Sequence, residues 1–307
     1  MPAQLITETE PITVSSLAML IYGPPGAWKT SVAQTAVNPV TLDFDKGIHR
    51  AFNRRAAFRF DCWNDVNDPA IAKHIAQSQT VVVDTIGRLL DLMSLGIIEE
   101  NAKWGTRAGG LSLQGFGVLK ARFGQWASAL RLAGKDIVFI CHEKEEKDGD
   151  DRIMRPDIQG GSYTEVMKFT DLVGYLGVDR QGKRVLDFNP SDKHLGKNAA
   201  GWTAMSVPDL KSSPSFLADL LADAKKRIGQ TSEAAAKIAA TVAEYSAWLD
   251  GDSPSLDGLN ERLPELATLE QAAKAQVWSL MLAYGHKCDW SFDRTSKTFV
   301  AAKAGAA

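Results

Sequence analysis

A glycine- and proline-rich stretch carries a lysine and two hydroxyl side chains close together. It consists of Gly23, Pro24, Pro25, Gly26, Ala27, Trp28, Lys29, Thr30 and Ser31, and it follows an apolar run over residues 17–22. A turn between a buried strand and a helix directs several backbone N–H groups at one point, which suits an anion. Lys29 would neutralise phosphate charge and Thr30 would complete the shell of Mg²⁺. We predict that residues 23–31, the phosphate loop, bind ATP with Mg²⁺.

The phosphate loop departs from the usual pattern at one position. G-x-x-x-x-G-K-[ST] is matched at Gly23, Lys29 and Thr30, but Trp28 replaces the second glycine. A large side chain fits there only if it points away from the phosphates. Two alternatives stay open: a turn that binds nothing, and a scaffold that binds nucleotide but hydrolyses it poorly.

Acidic residues end two further apolar runs. Asp84 ends residues 80–84, and an Asp at the carboxyl end of a parallel strand lies at the edge where ligands bind. We predict that Asp84 holds Mg²⁺ opposite Thr30; the alternative is a helix cap. Asp43 and Asp45 follow another run, and hydrolysis needs a carboxylate that orients or deprotonates water. We assign that role to Asp45 and a structural role to Asp43.

His142 follows the apolar run of residues 136–141. A polar residue at such a strand end faces the γ-phosphate in many phosphate-loop ATPases. We therefore count His142, with Lys29, Asp45 and Asp84, among the catalytic candidates, as a sensor of hydrolysis. The alternative is a histidine whose hydrogen bonds are satisfied by backbone.

The positioning elements alternate between strands and helices up to residue 207, which predicts an α/β core with a mostly parallel sheet covered on both faces. The predicted organisation has five parts: a flexible arm over 1–16, the core over 17–207, a linker helix over 208–230, a small helical domain over 231–299 and a disordered tail over 300–307. Residues 46–59 could be helical, residues 104–117 are predicted to form a mobile glycine-rich loop, and residues 143–152 a charged hairpin tip.

Composition narrows the class of protein. The 307 residues are 45% hydrophobic and 23% charged with a net charge of −2, which excludes a disordered chain and a generally basic nucleic-acid coat. Three scattered cysteines support neither a disulfide framework nor a zinc site. The apolar runs are far shorter than the roughly 20 residues of a membrane span. We expect a protein of the cytoplasm that has no membrane partner.

These motifs together resemble the phage-encoded RecA-like ATPases, a group of AAA-domain nucleotide-binding proteins that includes single-strand annealing recombinases. The resemblance covers residues 17–207 and is carried by residues 23–31, 80–90 and 135–177. It implies a RecA-like P-loop NTPase core, the water-activating role of Asp45, and the sensing role of His142. It also implies that residues 104–117 and 143–161 bind single-stranded DNA during annealing or strand exchange, and that the chain forms a ring or filament, in the host cytoplasm if it is phage-encoded.

Basic residues suggest where nucleic acid could bind. Lys46, Arg50 and Arg54 are spaced for one face of a helix, with Arg55 beside them and phenylalanines between them. Arg107 lies in the glycine-rich stretch. The alternative is a solvated basic face. The chain beyond residue 231 could contact a partner such as a single-strand-binding protein, or pack on the core.

The main rival is an ATPase that remodels or recruits protein and does not bind DNA. Residues 143–152 contain six acidic and three basic side chains, which would repel phosphate. A rate of ATP hydrolysis that is unchanged by single-stranded DNA would favour this rival. A small-molecule kinase is a weaker option, because the sequence offers no obvious acceptor site or lid.

Overall fold

The computed structural model describes residues 5–148 and 151–301. The strands are β1 Ala18–Gly23, β2 Pro39–Asp43, β3 Ala57–Arg59, β4 Thr80–Asp84, β5 Asp136–Asp148, β6 Asp151–Pro156, β7 Leu172–Val178, β8 Arg184–Asp187, β9 Lys197–Asn198, β10 Met205–Ser206, β11 Trp290–Asp293 and β12 Thr298–Ala301. The helices are α1 Lys29–Ala33, α2 Pro69–Gln77, α3 Ile86–Glu100, α4 Leu113–Leu132, α5 Gly160–Phe169, α6 Phe216–Gly251, α7 Leu256–Glu261 and α8 Gln271–Lys287. Contacts divide the chain into a unit of residues 14–228 and a unit that combines residues up to 13 with those from 229.

A large sheet forms the first unit, in the order β10-β8-β7-β1-β5-β4-β2-β3. Neighbouring strands from β7 to β3 in this order are all parallel, whereas β8 pairs antiparallel with β7 on one side and with β10 on the other. Successive side chains of a strand point to opposite faces, and both faces of this sheet are covered. Leu20 and Val83 pack in one apolar cluster with α3 and α4, while Ile21 and Val82 pack in another with α1 and the start of α6. The predicted, mostly parallel α/β core is confirmed.

The strand register brings the predicted site together. Asp43 at the end of β2 is level with Asp84 at the end of β4, and Gly23 at the end of β1 is level with His142 on β5. Parallel strands deliver these carboxyl ends to one edge of the sheet. At the opposite edge of the sheet, two carboxylates bind the start of β1. Asp136 accepts a hydrogen bond from the Leu17 backbone N–H, and Asp171 accepts one from the Ala18 backbone N–H.

Residues 46–59 do not form the helix that the basic spacing suggested. A single 3₁₀ turn over Ile48–Arg50 is followed by a turn, by irregular chain and by β3, which pairs with β2. The buried Asp43 carboxylate accepts hydrogen bonds from the N–H groups of Gly47 and Ile48, and this turns the chain after β2. Lys46, Arg50 and Arg54 therefore share no helical face.

Three further boundaries differ from the prediction. Helix α4 begins within the glycine-rich stretch because the Ser112 hydroxyl caps it, accepting from the Gly115 N–H at 3.2 Å. One uninterrupted helix, α6, replaces the separate helices expected before and after residue 230. Residues 300 and 301 belong to β12 and not to a tail; Asn260 holds this strand through the backbone N–H and C=O of Phe299.

The second unit has its own apolar core and is not entirely helical. Tyr245, Leu259, Val277, Met281 and Phe299 are buried in it together, and the hairpin β11–β12 forms part of it. Residues 302–307 of the predicted tail and 1–4 of the predicted arm lie outside the described residues. In the part of the chain that the structure describes, each helix is too short or too polar to cross a bilayer.

The Asp171 carboxylate yields a test of how β1 is anchored. It accepts from the buried Ala18 N–H at 2.8 Å and from Arg131 at 2.6 Å. Asp171→Ala leaves a buried backbone donor unsatisfied, which should cost about 1–3 kcal/mol of unfolding free energy in urea titrations. Asp91→Ala, which breaks an exposed pair with Arg88, is the control and should cost less than about 0.5 kcal/mol. Equal losses in the two variants would contradict the anchoring role.

Candidate nucleotide-binding site

The phosphate loop has the backbone shape of an anion-binding concavity. Gly26 and Trp28 both have left-handed backbone, with φ of 77° and 75°, on either side of Ala27. Alternation of this kind directs successive N–H groups toward one point. Gly23 is required where the loop begins, because a Cβ there would lie 2.2 Å from the carbonyl oxygen of Leu176.

Trp28 takes the backbone conformation that glycine ordinarily supplies. Its ring lies against the Arg184 guanidinium, whose carbon is 3.5 Å from the ring centroid, and its edge meets Phe52 with centroids 6.1 Å apart. The indole is therefore held by side chains of β8 and of the segment after β2. The loop keeps its shape although a bulky residue stands at the glycine position.

Lys29 is buried at the base of the loop. Its ammonium donates hydrogen bonds to the carbonyl oxygens of Gly23 and Pro24, both at 2.8 Å. Burial lowers the pKa of Lys29 from its usual range, and the Asp84 carboxylate partly opposes that change. A buried cation whose partners are neutral carbonyls offers strong attraction to a phosphate anion.

Thr30 and Asp84 form the oxygen pair expected of a magnesium site. The Thr30 hydroxyl donates to the Asp84 carboxylate at 2.6 Å, and Asp84 is only 4% exposed. The pKa of Asp84 is raised to about 6, chiefly by burial and also by the neighbouring Asp43 and Asp45 carboxylates, while the Thr30 hydrogen bond and the charge of Lys29 oppose the rise. Mg²⁺ prefers hard oxygen ligands such as these, and its charge would relieve the crowding of carboxylates. The residues therefore fit the ion.

Asp43 and Asp45 have different surroundings. Asp43 is fully buried and its carboxylate binds backbone N–H groups and lies 3.6 Å from Arg59, as its predicted structural role requires. Asp45 is partly exposed, lies 3.2 Å from the Arg50 guanidinium and lines the cavity in front of the phosphate loop. Asp45 is thus the carboxylate that water and phosphate could reach.

His142 lines the same cavity as the phosphate loop and Asp45. It is half-buried, and burial lowers its pKa from the usual value, as does the positive charge of Lys29. Its carbonyl accepts the Asp157 N–H at 2.8 Å, which ties it to the segment that follows β6. A neutral imidazole at this point can contact a phosphate oxygen and transmit the contact to that segment.

Two adjoining cavities meet at these residues. The first, of about 430 Å³, is lined by the phosphate loop and by Asp45, Asp84 and His142. The second, of about 470 Å³, is lined by Asp45 and His142 again, with walls from α3, from Gly109 and Gly110, and from Gln159. The glycine-rich stretch and the segment after the β5–β6 hairpin therefore border the same cavity as two of the catalytic candidates, Asp45 and His142.

The predicted nucleic-acid residues do not come together on one surface element. Lys46 pairs with Asp61, and Arg50 pairs with Asp45 and lines the first cavity. Arg54 and Arg55 are exposed on the chain that leads to β3, and Arg107 is exposed before α4. Arg50 is therefore better placed to hold the catalytic candidate than to bind a separate strand.

Sequence reasoning did not find Arg184 or Thr85. Arg184 lies far along the chain from the loop and reaches Trp28 only because β8 lies two strands from β1. Thr85 lines both cavities directly after Asp84 and also caps α3. No local pattern marks Arg184, whereas the hydroxyl next to Asp84 was a usable signal for Thr85.

Fold and site together define the class of protein. A phosphate loop follows β1, an acidic strand end lies two strands away on β4, and β5 is inserted between them. This is the arrangement of a RecA-like P-loop NTPase.

Comparison with known proteins identifies the family. Residues 15–200 match the family described as AAA domain, so the chain belongs to this family of P-loop ATPase domains. Among solved structures, a KaiC-like protein from Pyrococcus horikoshii OT3 is 11% identical with a TM-score of 0.34, covering 62% of this chain and 89% of its own. The flagellar accessory protein FlaH from Methanocaldococcus jannaschii is also 11% identical, with a TM-score of 0.31 and coverages of 61% and 84%. A comparison with curated proteins gave no match.

The raised pKa of Asp84 predicts a pH-dependent stability. The ordinary value is 3.8 and the folded value is about 6, so the folded state binds the proton more tightly and loses stability as pH rises between them. Asp84→Asn keeps the acceptor for Thr30 without the charge. In urea titrations without Mg²⁺ or nucleotide, the unfolding free energy of this variant should exceed that of the wild type by about 1–3 kcal/mol at pH 8. The two should be equal near pH 4. A difference that is the same at both pH values would contradict this assignment.

Proposed function

We propose that the protein binds ATP with Mg²⁺ and hydrolyses it, and that single-stranded DNA stimulates this reaction. The observation that carries the nucleotide part is the convergence of Lys29, the Thr30–Asp84 pair and Asp45 on one cavity. Each comes from a different strand end or from the loop, and each supplies a group that phosphoryl transfer to water needs.

The residues divide the work of hydrolysis. The phosphate loop and Lys29 hold the phosphates. To do so, the Lys29 ammonium gives up its hydrogen bonds to the carbonyls of Gly23 and Pro24 and donates to phosphate oxygens instead. Thr30 and Asp84 would hold Mg²⁺, which supplies charge neutralisation for the phosphates. Asp45 orients water and accepts its proton, and the Arg50 guanidinium keeps that carboxylate at the cavity wall. His142 contacts the terminal phosphate and relays its loss.

Two variants separate binding from chemistry. Lys29→Ala removes the buried cation and should weaken ATP binding at least tenfold in calorimetric titrations. Asp45→Asn should bind Mg·ATP within about threefold of the wild type but hydrolyse it at least 100-fold more slowly, because a general base typically contributes 10²–10⁴-fold.

The outcomes that would contradict these assignments are specific. An unchanged dissociation constant in Lys29→Ala would exclude the phosphate-loop assignment. Normal turnover in Asp45→Asn would move the base to another group. Asp68→Asn, which alters an acid at the start of α2, is the matched control and should leave binding and turnover unchanged.

The second cavity supports the DNA part of the proposal. The two segments with a predicted DNA-binding role both border it, and so do Asp45 and His142. Arg107 in the glycine-rich stretch and Lys103 just before it are exposed, and they could follow a phosphate backbone. A strand that orders these segments could thereby shift the residues around the terminal phosphate.

A charge reversal tests the coupling to DNA. Arg107→Glu should lower the stimulation of ATP hydrolysis by a 60-nucleotide single strand at least fivefold, and flatten the salt dependence of DNA binding, because one phosphate contact is lost. Basal hydrolysis should not change. Lys73→Glu, the same charge change on the exposed side of α2, is the control. The Arg54→Glu/Arg55→Glu variant asks whether the chain before β3 also takes part.

The result in wild-type protein decides between the proposal and its rival. Hydrolysis that is indifferent to single-stranded DNA at low salt would overturn the DNA part and favour an ATPase that acts on protein. The acidic side chains Glu145 and Glu146 on the β5–β6 hairpin are the surface observation that favours such a partner.

A further inference from the structure

We propose that Trp28 and Phe52 form a stacking platform for the base of the bound nucleotide and so set a preference for purine nucleoside triphosphates. This inference rests on the proposed binding of a nucleotide at the phosphate loop. It assigns a ligand contact to the residue that departs from the phosphate-loop pattern.

Trp28 presents aromatic surface at the cavity, and the exposed ring of Phe52 packs against it. Trp28 lines the cavity in front of the phosphate loop and is 37% exposed, and Phe52 is 48% exposed. Their centroids are 6.1 Å apart with an angle of 64° between the planes, so the pair forms an L-shaped corner. Large aromatic side chains are usually well buried, and an exposed aromatic pair with one member at a cavity is characteristic of a contact surface.

Trp28 lies in the part of the cavity that is not shared with the second cavity. Asp45 and His142 are shared with the second cavity, whereas Trp28 and Ser31 line only the first. With the terminal phosphate held near Asp45 and His142, the triphosphate directs the nucleoside away from them. The nucleoside would then lie in the unshared part of the cavity, which Trp28 borders.

The backbone conformation of Trp28 indicates that its ring has a function. Its φ of 75° is a conformation that glycine adopts freely and that any Cβ disfavours. Glycine would build the same loop with less strain. The strain is offset by contacts of the ring, of which the Arg184 guanidinium at 3.5 Å is one.

Arg184 supports the platform from behind. Its guanidinium covers one face of the indole, and within the described residues its Nε atom has no hydrogen-bond partner. The stack on Trp28 is therefore the principal contact that orients this guanidinium. A cation against one face holds the indole in place for a base that approaches from the cavity.

The platform predicts a class of ligand. Every base has a π face, and stacking grows with ring overlap, so the larger purines should bind more tightly than pyrimidines. A triphosphate without a base should bind only through the phosphate loop and Mg²⁺. Inorganic tripolyphosphate is therefore the probe that separates the two contributions.

The experiment compares Mg·ATP with Mg·tripolyphosphate in calorimetric titrations of the full chain. Trp28→Ala should weaken ATP binding about tenfold, the size expected for one base on one aromatic ring, and change tripolyphosphate binding by less than about twofold. Trp28→Phe keeps a ring and should retain most of the ATP affinity. Phe52→Ala, at an exposed position that poses no threat to folding, should weaken ATP binding about threefold.

The failures are distinguishable. If Trp28→Ala lowers the affinity for ATP and for tripolyphosphate equally, the ring only shapes the loop. If ATP affinity is unchanged in both alanine variants, no base stacks on these rings. Either result overturns the platform and leaves the proposed function standing. Equal affinity of the wild-type protein for ATP and tripolyphosphate would also overturn the platform and leave the proposed function standing. Wild-type protein that binds neither ligand would overturn the proposed function as well.

Discussion

The pairing of parallel strands is the constraint on which the rest of the molecule depends. The central strands are buried on both faces, so their backbone N–H and C=O groups must be satisfied by neighbouring strands. This pairing sets Asp43 level with Asp84, and Gly23 level with His142. The loop, the two carboxylates and the histidine are far apart in sequence, and they meet only because the strands end together.

Charges buried at this edge give the site its chemistry. Lys29 and Asp84 are both withdrawn from water, which lowers one pKa and raises the other, and each is satisfied by a polar partner. Such groups cannot rearrange as freely as water does. The protein has thus already met the desolvation cost that a phosphate and its counter-ion would otherwise impose, which is the basis of electrostatic preorganisation. The ion pair of Asp45 with Arg50 lies at the exposed side, where water can enter.

Local patterns predicted some elements well and others poorly. The apolar runs that became β1, β4 and the first half of β5 lack the alternation of a half-exposed strand, but their shortness and their β-branched residues favour buried strands over helices. The basic spacing from Lys46 to Arg54 suggested a helix, but hydrogen bonds from Gly47 and Ile48 to the Asp43 carboxylate turn the chain there. The predicted tail was wrong at residues 300 and 301 for a similar reason, since Asn260 in another segment pairs with the backbone of Phe299 in the same strand.

The sequence by itself determined the α/β class and the phosphate loop, and it predicted roles for Thr30 and Asp84, because each depends on residue types within a few positions of one another. The tertiary structure alone decided that the glycine-rich stretch borders the same cavity as His142, and that Arg184 stacks on Trp28. These contacts join residues of different elements. Their formation depends on strand order and on the packing of side chains between layers, which no spacing along a single chain encodes directly.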